Sequence, residues 1–236
     1  MSNDKFVLIT GGSRGIGKAI AEKFLKNAYN LIIIAKDKNR LNTVQNEFEK
    51  KYPKSKVIII SCDLACKEDI YKSVGELLKE KYKIEVVVHN AGIFLPGNLL
   101  DENDIVFEKQ MKVNLFSIYY LNKILIEYLK NAENAENAHI FFISSIAALT
   151  AYENGAAYSI SKHALEAYIL NLRNEVKDDN ISITSILPAK VWTDSWKDSG
   201  MDEDDFIPVD TIADALFNAY NTDNNTVIEQ IILNNK

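Results

Sequence analysis

A run of four apolar residues, Phe6-Val7-Leu8-Ile9, passes directly into Thr10-Gly11-Gly12-Ser13-Arg14-Gly15-Ile16-Gly17. Beyond the glycines the spacing changes. Ile16, Ala19, Ile20, Phe24 and Leu25 recur at three and four residues, the period of one helix face. A buried strand that turns through glycine into an amphipathic helix opens a strand–helix–strand unit, and such units join parallel strands by crossovers. The alternation continues along the chain. Strands are expected at 6–10, 31–35, 57–61, 85–89, 139–144, 181–187 and 227–233, and helices at 15–27, 38–51, 67–81, 103–130, 155–177 and 210–220. Strands as continuously apolar as Leu31-Ile32-Ile33-Ile34 belong to a sheet covered on both faces. The expected fold class is therefore α/β, a doubly wound parallel sheet of about seven strands in three layers, helices outside and sheet between.

Glycines at a strand-to-helix turn let the backbone approach a pyrophosphate, and the helix beyond them offers free N–H groups at the positive end of its dipole. Gly11, Ser13, Arg14, Gly15, Ile16 and Gly17 are the candidate residues for this contact. Their spacing is G-x-x-x-G-x-G rather than G-x-G-x-x-G. A plain connecting turn would use the same glycines, but their place after the first strand of an α/β pattern favours a nucleotide. Ligands in such sheets bind beyond the carboxyl ends of the strands. Thr10, Ala35, Asp63, Asn90, Ser145 and Pro188 all fall at or just past expected strand ends, so they are expected along one edge. Farther along, Tyr158-Ser159-Ile160-Ser161-Lys162 puts a phenol and an ammonium on one helix face. A free tyrosine has a pKa of roughly 10, and a neighbouring cation favours its phenolate, bringing proton transfer toward the working range. A Tyr and a Lys four apart are also common on solvated helices, so the pair gains its weight from the glycine turn.

Read together, these segments resemble the short-chain dehydrogenase/reductase family over nearly the whole chain. His89-Asn90-Ala91-Gly92 is similar to the family's N-N-A-G motif, and Asn114 in Lys112-Val113-Asn114-Leu115 matches its helix asparagine. Ser145, thirteen positions before Tyr158, matches the family's catalytic serine, and Pro188-Ala189-Lys190-Val191-Trp192-Thr193 is similar to P-G-x-x-x-T. The resemblance implies that Ser145 hydrogen-bonds a substrate carbonyl and that Tyr158 gives or takes its proton. It implies that Lys162 binds the nicotinamide ribose and lowers the Tyr158 pKa, and that Asn114 holds a water linking Lys162 to solvent. It further implies adenine contacts from Asp63 and Leu64, and contacts nearer the nicotinamide from Asn90, Ala91, Gly92, Pro188, Val191 and Thr193. Two positions depart from the family pattern. His89 stands for an asparagine that ties the central strands together, a role one imidazole hydrogen bond can serve, and Ala189 replaces a glycine, which restricts the backbone after Pro188.

At 236 residues one domain is the natural count, so 1–236 is expected to be a single Rossmann-like NAD(P)-binding unit. A hydrophobic fraction of 47% beside a charged fraction of 25% is ordinary for a globular chain. No run approaches the roughly 18 apolar residues that span a bilayer, and Met1-Ser2-Asn3-Asp4 leads straight into the first strand, so neither a membrane span nor a signal peptide is expected. The expected location is cytoplasmic. A net charge of -6 argues against nucleic acid as a partner. Cys62 and Cys66 are too few for a disulfide framework, and one C-x-x-x-C is a poor zinc site, so reduced thiols and no metal are expected.

Cofactor choice turns on the end of the second strand, where NAD enzymes place an acid for the ribose 2′-hydroxyl. Here the chain reads Ala35-Lys36. Lys36 with Arg14 supplies two cations for a 2′-phosphate, which favours NADP over NAD. Asp37 is the opposing observation, and its alternative role is to cap the following helix. Asp194 to Pro208 is acidic with Trp192, Trp196, Met201 and Phe206 interleaved, so a lid over about 194–209 is expected rather than a bare surface loop. The repeat Asn131–Ala138, NAENAENA, is expected to be a solvated connection. Phe94, Leu95, Pro96, Ala147, Leu149 and Tyr152 are expected to face a partly apolar substrate pocket. Leu115, Ile118, Leu121, Leu125 and Leu129, with Ala164, Ala167 and Leu172, exceed what one sheet face needs, and a homodimer or homotetramer is expected to cover them. The leading expectation for function is an NADPH-dependent ketone reductase acting on a small carbonyl or alcohol substrate. An NAD-dependent alcohol or hydroxysteroid-type dehydrogenase is the alternative. A nucleotide-sensing protein without turnover is a third, against which the set Asn114, Ser145, Tyr158 and Lys162 speaks.

Overall fold

The computed structural model describes residues 4–101, 103–131, 137–152, 154–193, 200, 202–223 and 225–236. The strands are β1 Lys5–Thr10, β2 Asn30–Ala35, β3 Val57–Ser61, β4 Lys83–His89, β5 Ala138–Ile143, β6 Ile181–Pro188 and β7 Gln230–Leu233. They form one seven-stranded sheet in the order β3-β2-β1-β4-β5-β6-β7, and every neighbouring pair is parallel. The helices are α1 Gly15–Lys26, α2 Lys38–Lys51, α3 Lys67–Leu78, α4 Asp104–Met111, α5 Ser117–Leu129, α6 Ala156–Glu175 and α7 Val209–Tyr220. This is the doubly wound α/β arrangement that the strand–helix alternation leads to.

The strands read as continuous apolar runs because each serves two cores. Phe6, Leu8, Ile32, Ile34, Ile140 and Phe142 point to the layer of α3, α5 and α6. Val7, Ile9, Leu31, Ile33, Phe141 and Ile143 point to the layer of α1, α2 and α7. Successive strand residues face opposite sides, so a strand buried on both has no place for a polar alternation. The chain winds outward from β1 to β3, then crosses back to β4 on the other side of β1. That reversal opens a crevice at the carboxyl ends of β1 and β4, where an open α/β sheet binds its ligand.

Three sequence expectations change. The helix expected over 103–130 is interrupted by a π-helical turn at Lys112–Phe116, with Asn114 buried at its centre. Such a turn carries one extra residue and re-aims the side chains within it, commonly at functional sites. The last strand begins at Gln230 rather than 227, and other element ends shift by up to three residues. The leucines expected to need a partner subunit do not need one: Ile118, Leu121, Leu125, Leu129 and Leu172 are all buried within the chain's own core against the sheet. Helical periodicity says that a face is apolar but not which surface covers it. The outward apolar residues of this layer are Phe116, Tyr119, Ile160 and Leu170. Of the NAENAENA repeat, 132–136 lie outside the described residues. No helix among the described residues is long and apolar enough to cross a membrane.

Candidate active site

The glycine turn is built around Asn90. Asn90 Nδ2 donates to the carbonyls of Thr10 (3.0 Å) and Gly11 (3.2 Å), while the backbone N–H groups of Asn90 and Ala91 both donate to Thr10 Oγ1 at 3.0 Å. The end of β1 is thus fastened to the end of β4. Gly11 has a φ of 68°, open to glycine at no steric cost, and Gly17 is required for space: a Cβ there would lie 2.4 Å from Asn90 Nδ2 and 2.5 Å from the Gly11 carbonyl oxygen. No side chain caps the first turn of α1, and no acid sits in it. Its leading N–H groups are left for an anion, and the exposed Arg14 stands at the N-cap beside them. A glycine cradle with an uncapped, acid-free helix end fits a dinucleotide pyrophosphate.

At the end of β2, Asp37 takes the capping role. Its Oδ1 accepts from Arg40 N at 3.0 Å at the start of α2. Lys36 and Asp63, both expected to touch the nucleotide, are paired with each other at 2.6 Å. The Lys36 side chain stays 76% exposed, so the pair lies open to solvent. Sequence reasoning missed Arg40, which shares a cleft of ≈ 390 Å³ with Ser13, Arg14, Gly15 and Thr43. Its signal was available as a further cation four residues after Lys36.

Tyr158, Ser145, Lys162 and Asn114 meet at the carboxyl ends of β4 and β5. Ser145 Oγ accepts from Ala147 N at 3.1 Å, and its hydroxyl lies beside the Tyr158 phenol, where it favours the phenolate. Lys162 Nζ donates to the Ile143 carbonyl at 2.9 Å and lies 5.6 Å from the centre of the Tyr158 ring. Burial pulls Lys162 down to about 8, opposed by Glu166. Burial also pushes Tyr158 above its ordinary value, against the effect of the Ser145 hydroxyl, and Tyr152 pushes the same way as burial. The lowering of Tyr158 by Lys162 is therefore not in place here: the ammonium is tied to β5 and faces the ring. Asn114 is clamped in its π turn. Its Oδ1 accepts from Ile93 N at 2.8 Å, and its Nδ2 donates to Ile93 O at 2.9 Å and Ser161 Oγ at 3.0 Å.

Several supporting residues escaped the sequence reading. Ser161 Oγ passes the Asn114 contact on to the Tyr158 carbonyl at 2.7 Å. Ser159 Oγ donates to the Ala147 carbonyl at 2.8 Å and fastens the turn after β5 to α6. Gln110, fully buried, both accepts from Leu95 N and donates to Leu95 O, holding the loop that follows Gly92. Two of these serines sit inside the YxxxK segment, so their position carried a signal; Gln110 carried none. At the mouth, the Phe94 ring meets those of Tyr158 (5.2 Å between centroids) and Tyr152 (6.1 Å). Leu149 is exposed there. Ala147 is buried and supports Ser145 through its backbone, so it does not line the pocket as expected.

The model of the short chain dehydrogenase family matches residues 5–204, most of the chain. The chain belongs to the short-chain dehydrogenase family. Sepiapterin reductase of Chlorobaculum tepidum is 28% identical over 96% of this chain and 94% of its own length. A dehydrogenase/reductase SDR family protein 7-like of Anopheles gambiae is 34% identical over 81% of this chain, which spans only 60% of that relative. Among solved structures, ElxO with NADP bound is 25% identical, with a TM-score of 0.87 over 98% of this chain and 97% of that one. As a member of the family, the chain is an oxidoreductase working between carbonyl and hydroxyl carbons.

The two departures from the family motifs now have structural accounts. His89 does not bridge strands by hydrogen bonding. Its Nε2 meets Asn122 Oδ1 of α5 at 2.7 Å, while its ring stacks on Phe142 of β5 at 5.0 Å. The sheet is thereby tied to the helix layer as well as to its neighbour strand. Ala189 continues the sheet edge, donating its N–H to the Leu233 carbonyl at 2.8 Å, and it is not among the positive-φ residues, so glycine is not needed there. Past it, Val191 and Ile207 form a parallel bridge, and the Trp192 and Phe206 rings meet at 5.0 Å, closing the base of the stretch expected to be a lid. Within that stretch 194–199 and 201, with Trp196 and Met201, lie outside the described residues.

Proposed function

We propose that the protein is an NADPH-dependent reductase of small, partly apolar carbonyl compounds. The observation that carries this reading is the Ser145 hydroxyl beside the Tyr158 phenol, with Lys162 one turn along the same helix. Gly11, Ser13, Arg14, Gly15, Ile16 and Gly17 would hold the pyrophosphate. Lys36 and Arg14, with Arg40 nearby, would face a 2′-phosphate, and Asp63 and Leu64 the adenine. Asn90, Ala91, Gly92, Pro188, Val191 and Thr193 would flank the nicotinamide. The bound dinucleotide supplies hydride to the carbonyl carbon, or takes it back in the reverse direction.

The protein's own groups manage the oxygen and its proton. Ser145 donates a hydrogen bond to the substrate oxygen. Tyr158 delivers its phenolic proton as charge builds there. Lys162 would hold the ribose hydroxyls, and its charge, once beside the phenol's oxygen, would lower a pKa that burial alone holds high. Asn114 fixes the Ile93 backbone and Ser161, and so the wall on which Lys162 rests. Phe94, Tyr152 and Leu149 set a preference for apolar or aromatic carbonyl flanks, and 194–209 serves as the lid. Two copies would pair through the outward face of the π turn, α5 and α6, which carries Phe116, Tyr119, Ile160 and Leu170.

NADPH consumption over a panel of ketones, diketones, pterins and keto sugars tests the activity, and no turnover on any of them would sink it. Calorimetry with NADPH and NADH tests the cofactor. Lys36→Asp should move preference toward NADH by at least about tenfold, since it exchanges an attractive charge for a repulsive one. Tighter NADH binding by the wild type would instead support the NAD-dependent dehydrogenase reading, for which Asp37 is the available acid.

A further inference from the structure

The buried face of α6 carries a third ionisable group that the proposed chemistry leaves unused. Tyr158, Lys162 and Glu166 recur at intervals of four, so the three side chains descend one stripe of the helix. Glu166 Oε2 accepts from Ser185 Oγ of β6 at 3.2 Å and from Gln230 Nε2 of β7 at 3.3 Å. Its Oε1 is buried and has no hydrogen-bond partner among the described residues. A carboxylate oxygen hidden from water and left bare is costly. Two neutral hydrogen bonds to Oε2 do not account for it, whereas an ammonium one turn away offsets part of that cost.

We propose that Glu166 is a positioning residue that keeps Lys162 protonated, and so keeps available the cation that the Tyr158 proton transfer depends on. The inference rests on the reductase reading for its purpose. Among the described residues few other charges compete, and the adjacent His163 is exposed and bonds the Ser159 carbonyl of its own helix. Asn114, Ser145, the Ile143 carbonyl and Ser185 are neutral, and Tyr152 and Tyr158 are phenols. Asp104, Glu108, Lys109 and Lys112, from α4 and the π turn, are exposed, with Glu108 and Lys112 paired to each other. Glu229, beside β7, faces Arg173. Glu166 is the charge that opposes the effect of burial on Lys162.

The test follows the ε-carbon of Lys162 by NMR in nucleotide-free protein, from about pH 6 to about pH 11. The signal is assigned with Lys162→Arg. Glu166→Gln keeps the shape and hydrogen-bonding capacity but removes the charge, and should lower the Lys162 midpoint by roughly one pH unit. An unmoved midpoint would overturn the proposal. Glu166→Asp keeps the charge and should recover at least about half of that shift, so Asp and Gln variants shifting alike would also overturn it. Ser185→Ala removes a hydrogen bond without touching the charge. It should cost stability while leaving the midpoint in place, and a drop as large as that of Glu166→Gln would assign the effect to packing. One arm needs no variant: the Glu166 carboxyl carbon of the wild type should show a step at the Lys162 midpoint, and a flat trace rejects the coupling. These readouts need no substrate. A protein that reduces no carbonyl compound, yet shows the shift, would refute the reductase reading and leave this coupling standing.

Discussion

Tyr158 and Tyr220 are both tyrosines pushed up by burial, and they sit toward opposite ends of the same sheet. At the carboxyl end, Tyr158 has a serine hydroxyl beside it and a lysine over its ring. Toward the amino end, Tyr220 accepts from Tyr29 OH at 3.3 Å and donates to Glu85 Oε2 at 3.1 Å, and Glu85 is in turn paired with Lys5 at 2.8 Å. A carboxylate acceptor fixes the phenolic proton and raises the pKa further. A neutral hydroxyl with a cation close by leaves the proton transferable. The contrast shows that a buried tyrosine becomes an acid–base group through its partners, since burial alone pushes both the wrong way.

The largest expected effect is on the carboxyl-end tyrosine. Tyr158→Phe keeps the ring against Phe94 but removes the proton, so turnover should fall by about 10²–10⁴-fold with NADPH affinity retained. Near-normal reduction of any carbonyl compound the wild type accepts would erase the distinction between the two tyrosines. Ser145→Ala comes next. It removes the hydroxyl that opposes the effect of burial on Tyr158, and with it the donor to the substrate oxygen. Turnover should drop about 10²–10³-fold, with NADPH affinity by calorimetry changing less than threefold, roughly half a kcal/mol. A loss of affinity as large as the loss of rate would mean that Ser145 holds the cofactor rather than the substrate.

Most of the carboxyl-end cluster was legible in the sequence, and almost none of the amino-end one. Tyr158 and Lys162 announce themselves by local helical spacing, and the glycine turn by its place after an apolar strand. Tyr29, Glu85, His139, Thr184 and Tyr220 come from separate elements, and only the packing of α1 and α7 over β4, β5 and β6 brings them together. The same limit explains Glu166, Gln110 and the leucines of α5, whose partners depend on which surface folds over them. The π turn was hidden for a different reason. Lys112–Phe116 has ordinary helix formers, and the added residue is set by Asn114 reaching the backbone of Ile93, a contact across the crevice.

Histidine titration sharpens the comparison, because each region holds one. His89 near the carboxyl end and His139 toward the amino end are both pulled down to about 4, chiefly by burial. Asn122 donates its amide to Tyr168 OH at 3.1 Å, so its Oδ1 is the acceptor and His89 carries its proton on Nε2. The opposite nitrogen, Nδ1, is buried without a hydrogen-bond partner among the described residues, so a second proton would have nowhere to bond. Because the folded values lie below the unfolded value near 6.5, the unfolded chain takes up protons first. Stability should be full above about pH 6.5 and fall as pH drops toward about 4, by on the order of 3 kcal/mol per histidine. Urea titrations across that range should show the slope roughly halved in His89→Asn and in His139→Gln. A slope unchanged by His89→Asn would mean that the imidazole finds an acceptor when charged, and that the two sites differ.

The smallest expected effect is on the second tyrosine, and it is a null for chemistry. Tyr220→Phe removes the donor to Glu85 Oε2 and leaves that buried oxygen unpaired, while Lys5 still holds Oε1. The cost should be about 1–3 kcal/mol of stability. The Phe24, Tyr29 and His139 rings that meet Tyr220 lose little, because the aromatic body remains. Turnover and NADPH affinity should stay within about twofold of wild type, since Tyr220 lies away from the crevice at the carboxyl ends, separated from it by most of a strand, some 15 Å or more. Thermal unfolding and steady-state rates measured on the same preparation separate the two outcomes. If Tyr220→Phe lost rate without losing stability, the amino-end cluster would be coupled to the reaction, and partner chemistry alone would not explain why one of the two tyrosines transfers protons.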